Sequence, residues 1–119
     1  MLSNGGKTCP ARRWGLARMT LAIDLNADLG ELPGDAGRAS DLAILAEITS
    51  CAIACGGHAG NDDIMEATLL AARDNDVLAG AHPSYPDHEN FGRVSLSITR
   101  SVLYQSLIEQ KARLNTIAA

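Results

Sequence analysis

Aromatic side chains are scarce in this sequence, at 3% of its 119 residues. A core must therefore be built from aliphatic side chains and alanine. No apolar run approaches the roughly 18 to 20 residues of a membrane-spanning helix, which excludes a transmembrane protein. There is no GxGxxG and no Walker sequence, so any nucleotide must be bound by irregular loops or by a partner chain.

Cysteine is also rare: the three present are Cys9, Cys51 and Cys55, without a CxxC pair. This argues against a disulfide framework and predicts a reducing, cytoplasmic setting. A zinc site that joins Cys51 and Cys55 to His58 and His82 is disfavoured. A Cys-x3-Cys spacing on a strand holds the two sulfurs roughly 13 Å apart, too far to share a tetrahedral ion.

Basic residues are concentrated at the N-terminus. The formal net charge is −4, but residues 1–18 carry +4, so the rest of the chain carries −8. An acidic body excludes nucleic acid as a partner, because nucleic-acid binding requires clustered Lys and Arg. Patterned sequence begins after Met19, so we predict a disordered basic extension over 1–18 and one domain over 19–119.

Short apolar runs then alternate with segments of helical periodicity. Strands are predicted over 21–25, 50–55 and 77–81, and helix caps at Ser40 or Asp41, at Asn61 or Asp62, and near Ser97 or Thr99. Apolar strands joined by helices predict a parallel sheet in an α/β fold. Three such units cannot close an eight-stranded barrel, so the chain looks like the first part of a larger fold.

Polar and ionisable residues follow each predicted strand. They are Asn26, Asp28 and Glu31 after the first strand, His58 and Asn61 after the second, and His82 and Asp87 after the third. The carboxyl ends of parallel strands form one rim where ligands bind, so we expect these side chains around one crevice. Carboxylates beside histidines suit general acid–base catalysis or the holding of a metal-bound water.

Each of these residues also has a plainer interpretation. Asp28 is of a type that favours turns, and His58 or His82 can simply bond a neighbouring carbonyl. Asp24 alternates with Asn26 and Asp28 and is expected on the same side of the sheet end. Arg93 follows a glycine and can grip a substrate carboxylate, or else form a surface ion pair with Asp87 or Glu89.

Five blocks of sequence are distinctive: residues 23–31 (IDLNADLGE), 52–60 (AIACGGHAG), 80–87 (GAHPSYPD), 90–93 (NFGR) and 102–105 (VLYQ). Together they resemble the LamB/YcsF family, the A subunit of bacterial ATP-dependent 5-oxoprolinase. The resemblance implies an incomplete, seven-stranded (β/α) barrel-like fold related to polysaccharide deacetylases. For this chain we therefore expect a partial (β/α) barrel-like fold with parallel strands, truncated after about three βα units. It also implies cleavage of 5-oxo-L-proline to L-glutamate with ATP hydrolysis, together with B and C subunits.

The resemblance implies roles for individual residues. Asp28 or Glu31 would deprotonate the attacking water, and His58 or His82 would protonate the departing nitrogen or stabilise the oxyanion. Candidate substrate-binding residues are Asp24, Asn26, Asn61 and Arg93. A metal requirement is left open.

Three positions depart from the family pattern: Gly57 replaces a usual Phe, Asn61 a usual Asp, and Leu32 a common glycine. The chain is also shorter than family members. A sheet left unclosed would expose an edge strand and an apolar side, so self-association is expected. Two other functions stay open: a truncated, non-catalytic fragment that binds partner chains, and a metal-dependent hydrolase of amides or amide-linked sugars.

Overall fold

The computed structural model describes residues 21–119, so the predicted extension over 1–18 lies outside the described residues. In chain order the elements are β1 (Asn26–Leu29), α1 (Gly34–Leu45), β2 (Ser50–Ala54), α2 (Asp62–Asp74), β3 (Leu78–His82) and α3 (Arg100–Ala118). The alternation of strands and helices confirms the predicted α/β class. No helix of the described part is long and apolar enough to cross a membrane.

The three strands form one parallel sheet in the order β1-β2-β3. In its register Asp28 lies beside Ala52 of β2, Ala52 lies beside Gly80 of β3, and Ala54 lies beside His82. The sheet is open within the described residues, with β1 and β3 at its edges. Three parallel strands and three helices confirm a partial β/α fold.

One face of the sheet carries the core. Leu29, Cys51 and Ile53 are buried and pack with Leu45 of α1 and Met65 of α2. Because side chains alternate along a strand, the neighbouring positions face the other way. Asp28 and Gly80 are exposed there. Helices therefore cover the core face at β1 and β2, whereas the β3 residues before His82 are exposed.

The first strand was predicted at the wrong place: β1 covers Asn26–Leu29 rather than 21–25. The apolar character of 21–25 suggested burial, yet the Leu21 and Ile23 side chains are 93% and 83% exposed. Ladder pairing starts only where Asn26 meets Ser50. By contrast, β2 and β3 agree with their predicted ranges to within one residue at each end.

The helix caps were predicted correctly for two helices of three. The Asn61 side chain accepts a hydrogen bond from the Ile64 amide at the start of α2, and Thr99 accepts one from the Val102 amide at the start of α3. The prediction for α1 was wrong, since that helix begins at Gly34 after Pro33. Asp41, a predicted cap, instead lies inside α1 and accepts a hydrogen bond from the Gly30 amide.

Candidate active site

An open cleft of about 550 Å³ lies at the carboxyl end of the sheet. Its lining includes four predicted catalytic residues, Asp28, Glu31, His58 and His82. All four lie at the same edge of the parallel sheet. Asp28 lies in β1 and Glu31 follows it, His58 follows β2, and His82 is the last residue of β3. Residues far apart in sequence therefore share one cleft, as the strand-end pattern predicts.

A hydrogen-bonded chain of three side chains crosses the site. His58 Nε2 lies 2.7 Å from Glu31 Oε1, and His58 Nδ1 lies 2.7 Å from Ser84 Oγ. The His58 side chain is only 5% exposed, against 23% for Glu31. If Nε2 carries the ring proton, it donates a hydrogen bond to Glu31, and Nδ1 accepts one from the Ser84 hydroxyl. Both ring nitrogens of His58 are then hydrogen-bonded.

His82 faces the same carboxylates without a close partner. Its Nδ1 atom lies 3.6 Å from Asp28 Oδ1 and 3.6 Å from Glu31 Oε1, beyond hydrogen-bonding distance. The atom is buried and has no hydrogen-bond partner among the described residues. The His82 ring packs against His58 with 4.8 Å between ring centroids. His82 therefore presents an unsatisfied nitrogen to the carboxylates.

Glycines shape the loop that carries His58. Gly56 has φ of +87° and Gly60 has φ of +84°, backbone conformations that only glycine adopts at little cost. The Gly56 amide donates to the Ala59 carbonyl and closes the turn. A side chain at Gly57 would collide with the Gln110 side chain and come within 2.6 Å of Ser84 Oγ. Gln110 and Ser84 therefore occupy the space beside Gly57.

The opposite wall of the cleft comes from the loop after β3. The Phe91 ring meets His58 edge-on with 4.8 Å between centroids, and the Arg93 guanidinium carbon lies 5.5 Å from the Phe91 centroid. The alternative ion pair of Arg93 with Asp87 or Glu89 is not found in the described part of the chain. Asp87 Oδ1 instead accepts hydrogen bonds from Asn90.

Asp24 and Asn26 were placed wrongly by the sequence. Asp24 accepts hydrogen bonds from the Thr49 and Ser50 hydroxyls, which lower the pKa of its carboxyl group. The Asn26 amide donates to Ser50 Oγ at 2.8 Å. Because β1 starts at Asn26, both residues lie at the amino end of the sheet, opposite the cleft.

Asn61 does not line the cleft either. Its side-chain oxygen accepts from the Ile64 amide at 2.9 Å, so it serves the start of α2. A cap needs only an acceptor oxygen, which Asn supplies as well as Asp does.

The two described cysteines are free and buried. Burial raises the pKa of both thiols, the largest cause in each case. Cys51 and Cys55 therefore behave as small apolar core residues, consistent with their absence from the cleft lining.

Sequence reasoning did not identify two polar residues of the site, Ser84 and Gln110, as functional candidates. Ser84 lies within the family block 80–87, and Gln110 lies in α3. Gln110 is buried, accepts from the Ser84 amide at 3.0 Å and donates to the Ser84 carbonyl at 2.8 Å. These bonds span 26 residues of sequence, and no local pattern indicates such a contact.

Comparison with known proteins places the chain among relatives. The family model of the LamB/YcsF family matches residues 23–119. Among solved structures, the chain is similar to the lactam utilization protein from Thermus thermophilus, with 29% identity and a TM-score of 0.73. The match covers 82% of this chain and 39% of that protein. This chain thus spans well under half the length of that structural relative.

Proposed function

Because this chain belongs to the LamB/YcsF family, we propose that it contributes the lactam-binding site of an ATP-dependent 5-oxoprolinase. Its substrate would be 5-oxo-L-proline and its product L-glutamate. The similarity to a lactam utilization protein supports a cyclic amide as the substrate class. The observation that carries the proposal is the convergence of Asp28, Glu31, His58 and His82 on one cleft.

The reaction explains the need for ATP and for partners. A five-membered lactam is an unreactive amide, so attack by water requires activation of the carbonyl oxygen, which phosphorylation by ATP would supply. Breaking the ring C–N bond would then leave an acyl phosphate, and a second water would hydrolyse it to L-glutamate and phosphate. The sequence has no glycine-rich phosphate loop of a known pattern. We therefore propose that ATP is a co-substrate held with the help of B and C subunits.

Within the cleft, Asp28 is the proposed base. Its side chain is 55% exposed and can accept the proton of an attacking water and return it to the departing nitrogen. His82 Nδ1 is buried and has no hydrogen-bond partner among the described residues; with the ring proton on this atom, it would donate to the water-derived oxygen of the tetrahedral intermediate, where negative charge develops. Buried His58 and its partner Glu31 hold the wall against which His82 packs.

Arg93 is the proposed ligand of the substrate carboxylate. Its guanidinium group lies over Phe91 at the wall of the cleft and forms no ion pair within residues 21–119. A guanidinium group binds a carboxylate through two parallel hydrogen bonds, which also fixes the orientation of the ring to be cleaved.

The test combines the chain with B and C subunits and measures glutamate formed from 5-oxo-L-proline and ATP consumed. His82→Ala should lower turnover by about 10² or more, and His58→Ala should also lower it, because the ring against which His82 packs is lost. His88→Ala is the matched control, because this third described histidine is exposed, outside the cleft lining, and bonds only the Gly60 carbonyl. Near-normal turnover in both cleft variants would refute the proposed roles.

A further inference from the structure

Three donor atoms of the cleft lie close enough to hold one metal ion. One ligand atom each of Glu31, His58 and His82 lies within 4.8 Å of the other two. Glu31 Oε1 is 2.7 Å from His58 Nε2 and 3.6 Å from His82 Nδ1. Ligands of a tetrahedral zinc ion at about 2.0–2.2 Å lie about 3.3 Å from one another, so small side-chain rotations would bring these atoms into place.

The buried Nδ1 atom of His82 points to a cation. A buried nitrogen without a partner is rare in proteins and requires an explanation. The neighbours of this atom are two carboxylate oxygens, from Asp28 and Glu31, each 3.6 Å away. An ion between the nitrogen and these oxygens would satisfy all of them.

His58 is supported as metal-binding histidines usually are. Such a ligand donates its second ring N–H to an outer partner, which fixes the tautomer and orients the ring. His58 Nδ1 lies 2.7 Å from Ser84 Oγ, and that hydroxyl lies 3.3 Å from the Tyr85 carbonyl. With Nε2 bound to a metal, Nδ1–H donates to Ser84, and Ser84 donates to Tyr85. Gln110 fixes Ser84 through its backbone.

We propose that Glu31, His58 and His82 form a binding site for a divalent transition-metal ion, with Asp28 beside it. Two imidazoles and one carboxylate suit Zn²⁺ and related ions, and such a set leaves a position open in catalytic sites. The cleft gives a ligand access to that position. The ion would take over from His82 the stabilisation of a developing oxyanion, a role that rests on the proposed function.

The test is metal binding by the untagged 119-residue chain without lactam, ATP or other subunits. Co²⁺ is followed by its visible absorption, and Zn²⁺ by competition against Co²⁺. We expect one equivalent bound, with affinity lowered at least about 100-fold by His82→Ala and by Glu31→Gln. Ser84→Ala, which removes only an outer partner, should cost about 10- to 100-fold.

Controls separate a built site from surface binding. His88→Ala removes a histidine outside the cluster and Cys9→Ser removes a thiol outside the described residues, so both should leave the affinity unchanged. Glu31→Gln and His82→Gln keep side-chain volume, and circular dichroism checks that each variant is folded. Absence of binding at millimolar Co²⁺, or equal affinity in His82→Gln and His88→Ala, would overturn the proposal. Since no substrate is present, failure of lactam cleavage leaves this result unaffected.

Discussion

The side-chain amide of Gln110 forms two hydrogen bonds with the backbone of Ser84, one to its N–H and one to its carbonyl. Gln110 lies in α3, whereas Ser84 lies in the loop after β3. The Ser84 hydroxyl in turn lies 2.7 Å from His58. Gln110 therefore connects the last helix to His58 of the candidate active site through Ser84.

Gln110→Ala should destabilise the fold and disturb the site. It leaves the backbone amide and carbonyl of Ser84 without these partners, so we expect a loss of about 1–3 kcal/mol in the free energy of unfolding, measured by urea denaturation. Gln105→Ala is the matched control on the same helix, because Gln105 is exposed and bonds only Glu109. Equal stability of the two variants would show that the Ser84 contact contributes nothing.

Gly57→Ala should also destabilise, since the new methyl group would collide with Gln110 and approach Ser84 Oγ. Overpacking of this kind costs about 1–3 kcal/mol. Gly80→Ala is the control, because a methyl group there meets nothing closer than the Cys51 carbonyl at 3.8 Å.

The cause of the Gly57→Ala effect can be isolated by a double-mutant cycle. If the Gln110 side chain is the obstacle, Gly57→Ala should cost less in a Gln110→Ala background than in the natural chain. Additive losses would show that Gln110 is not the obstacle and would leave Ser84 Oγ, the next nearest atom, as the source of the strain.

The sequence predicted best where the signal was local. Asn61 and Thr99 were recognisable as caps because a polar acceptor precedes a helical period. The strand over 21–25 was wrong because apolar residues indicate burial only if a neighbouring element covers them, and Leu21 and Ile23 are exposed.

The sequence predicted those residues of the site whose position follows from the order and direction of the strands. Residues that follow parallel strands reach one edge, which brought Glu31, His58 and His82 together. Asp24 and Asn26 were predicted near the carboxyl end of the first strand because that strand was predicted over 21–25. In the structure β1 begins at Asn26, so both residues lie at its amino end. Ser84 and Gln110 act through contacts 26 residues apart, which one sequence does not reveal.

Asp41 predicts an unusual pH dependence. Burial raises the pKa of its carboxyl group, outweighing the hydrogen bond from the Gly30 amide. The folded state therefore disfavours the ionised carboxylate, which lowers the free energy of unfolding at neutral pH. This loss of stability disappears as the pH falls through the raised pKa of the folded state towards the pKa of the unfolded state. Asp41→Asn, which keeps an acceptor for Gly30, should raise the urea midpoint at pH 7, and its advantage should shrink in acid.

Asp24→Asn should change the urea midpoint in the opposite direction to Asp41→Asn. The Thr49 and Ser50 hydroxyls lower the pKa of Asp24, so its ionised form stabilises the fold above the unfolded pKa and this contribution is lost as the pH falls through the folded pKa. Asp24→Asn should therefore lower the urea midpoint at pH 7 and match the natural chain in acid. Parallel pH profiles for the two variants would contradict at least one of the two assignments.

Arg93→Lys tests the proposed carboxylate contact, because lysine keeps the charge and loses the paired hydrogen-bond donors. If Arg93 binds the substrate equally in the ground and transition states, KM for 5-oxo-L-proline should rise about 10-fold while kcat changes little. Arg73→Lys is the control, since Arg73 is exposed and pairs with Asp74 at the end of α2. A fall in kcat at unchanged KM would instead assign Arg93 to the transition state and remove it from substrate binding.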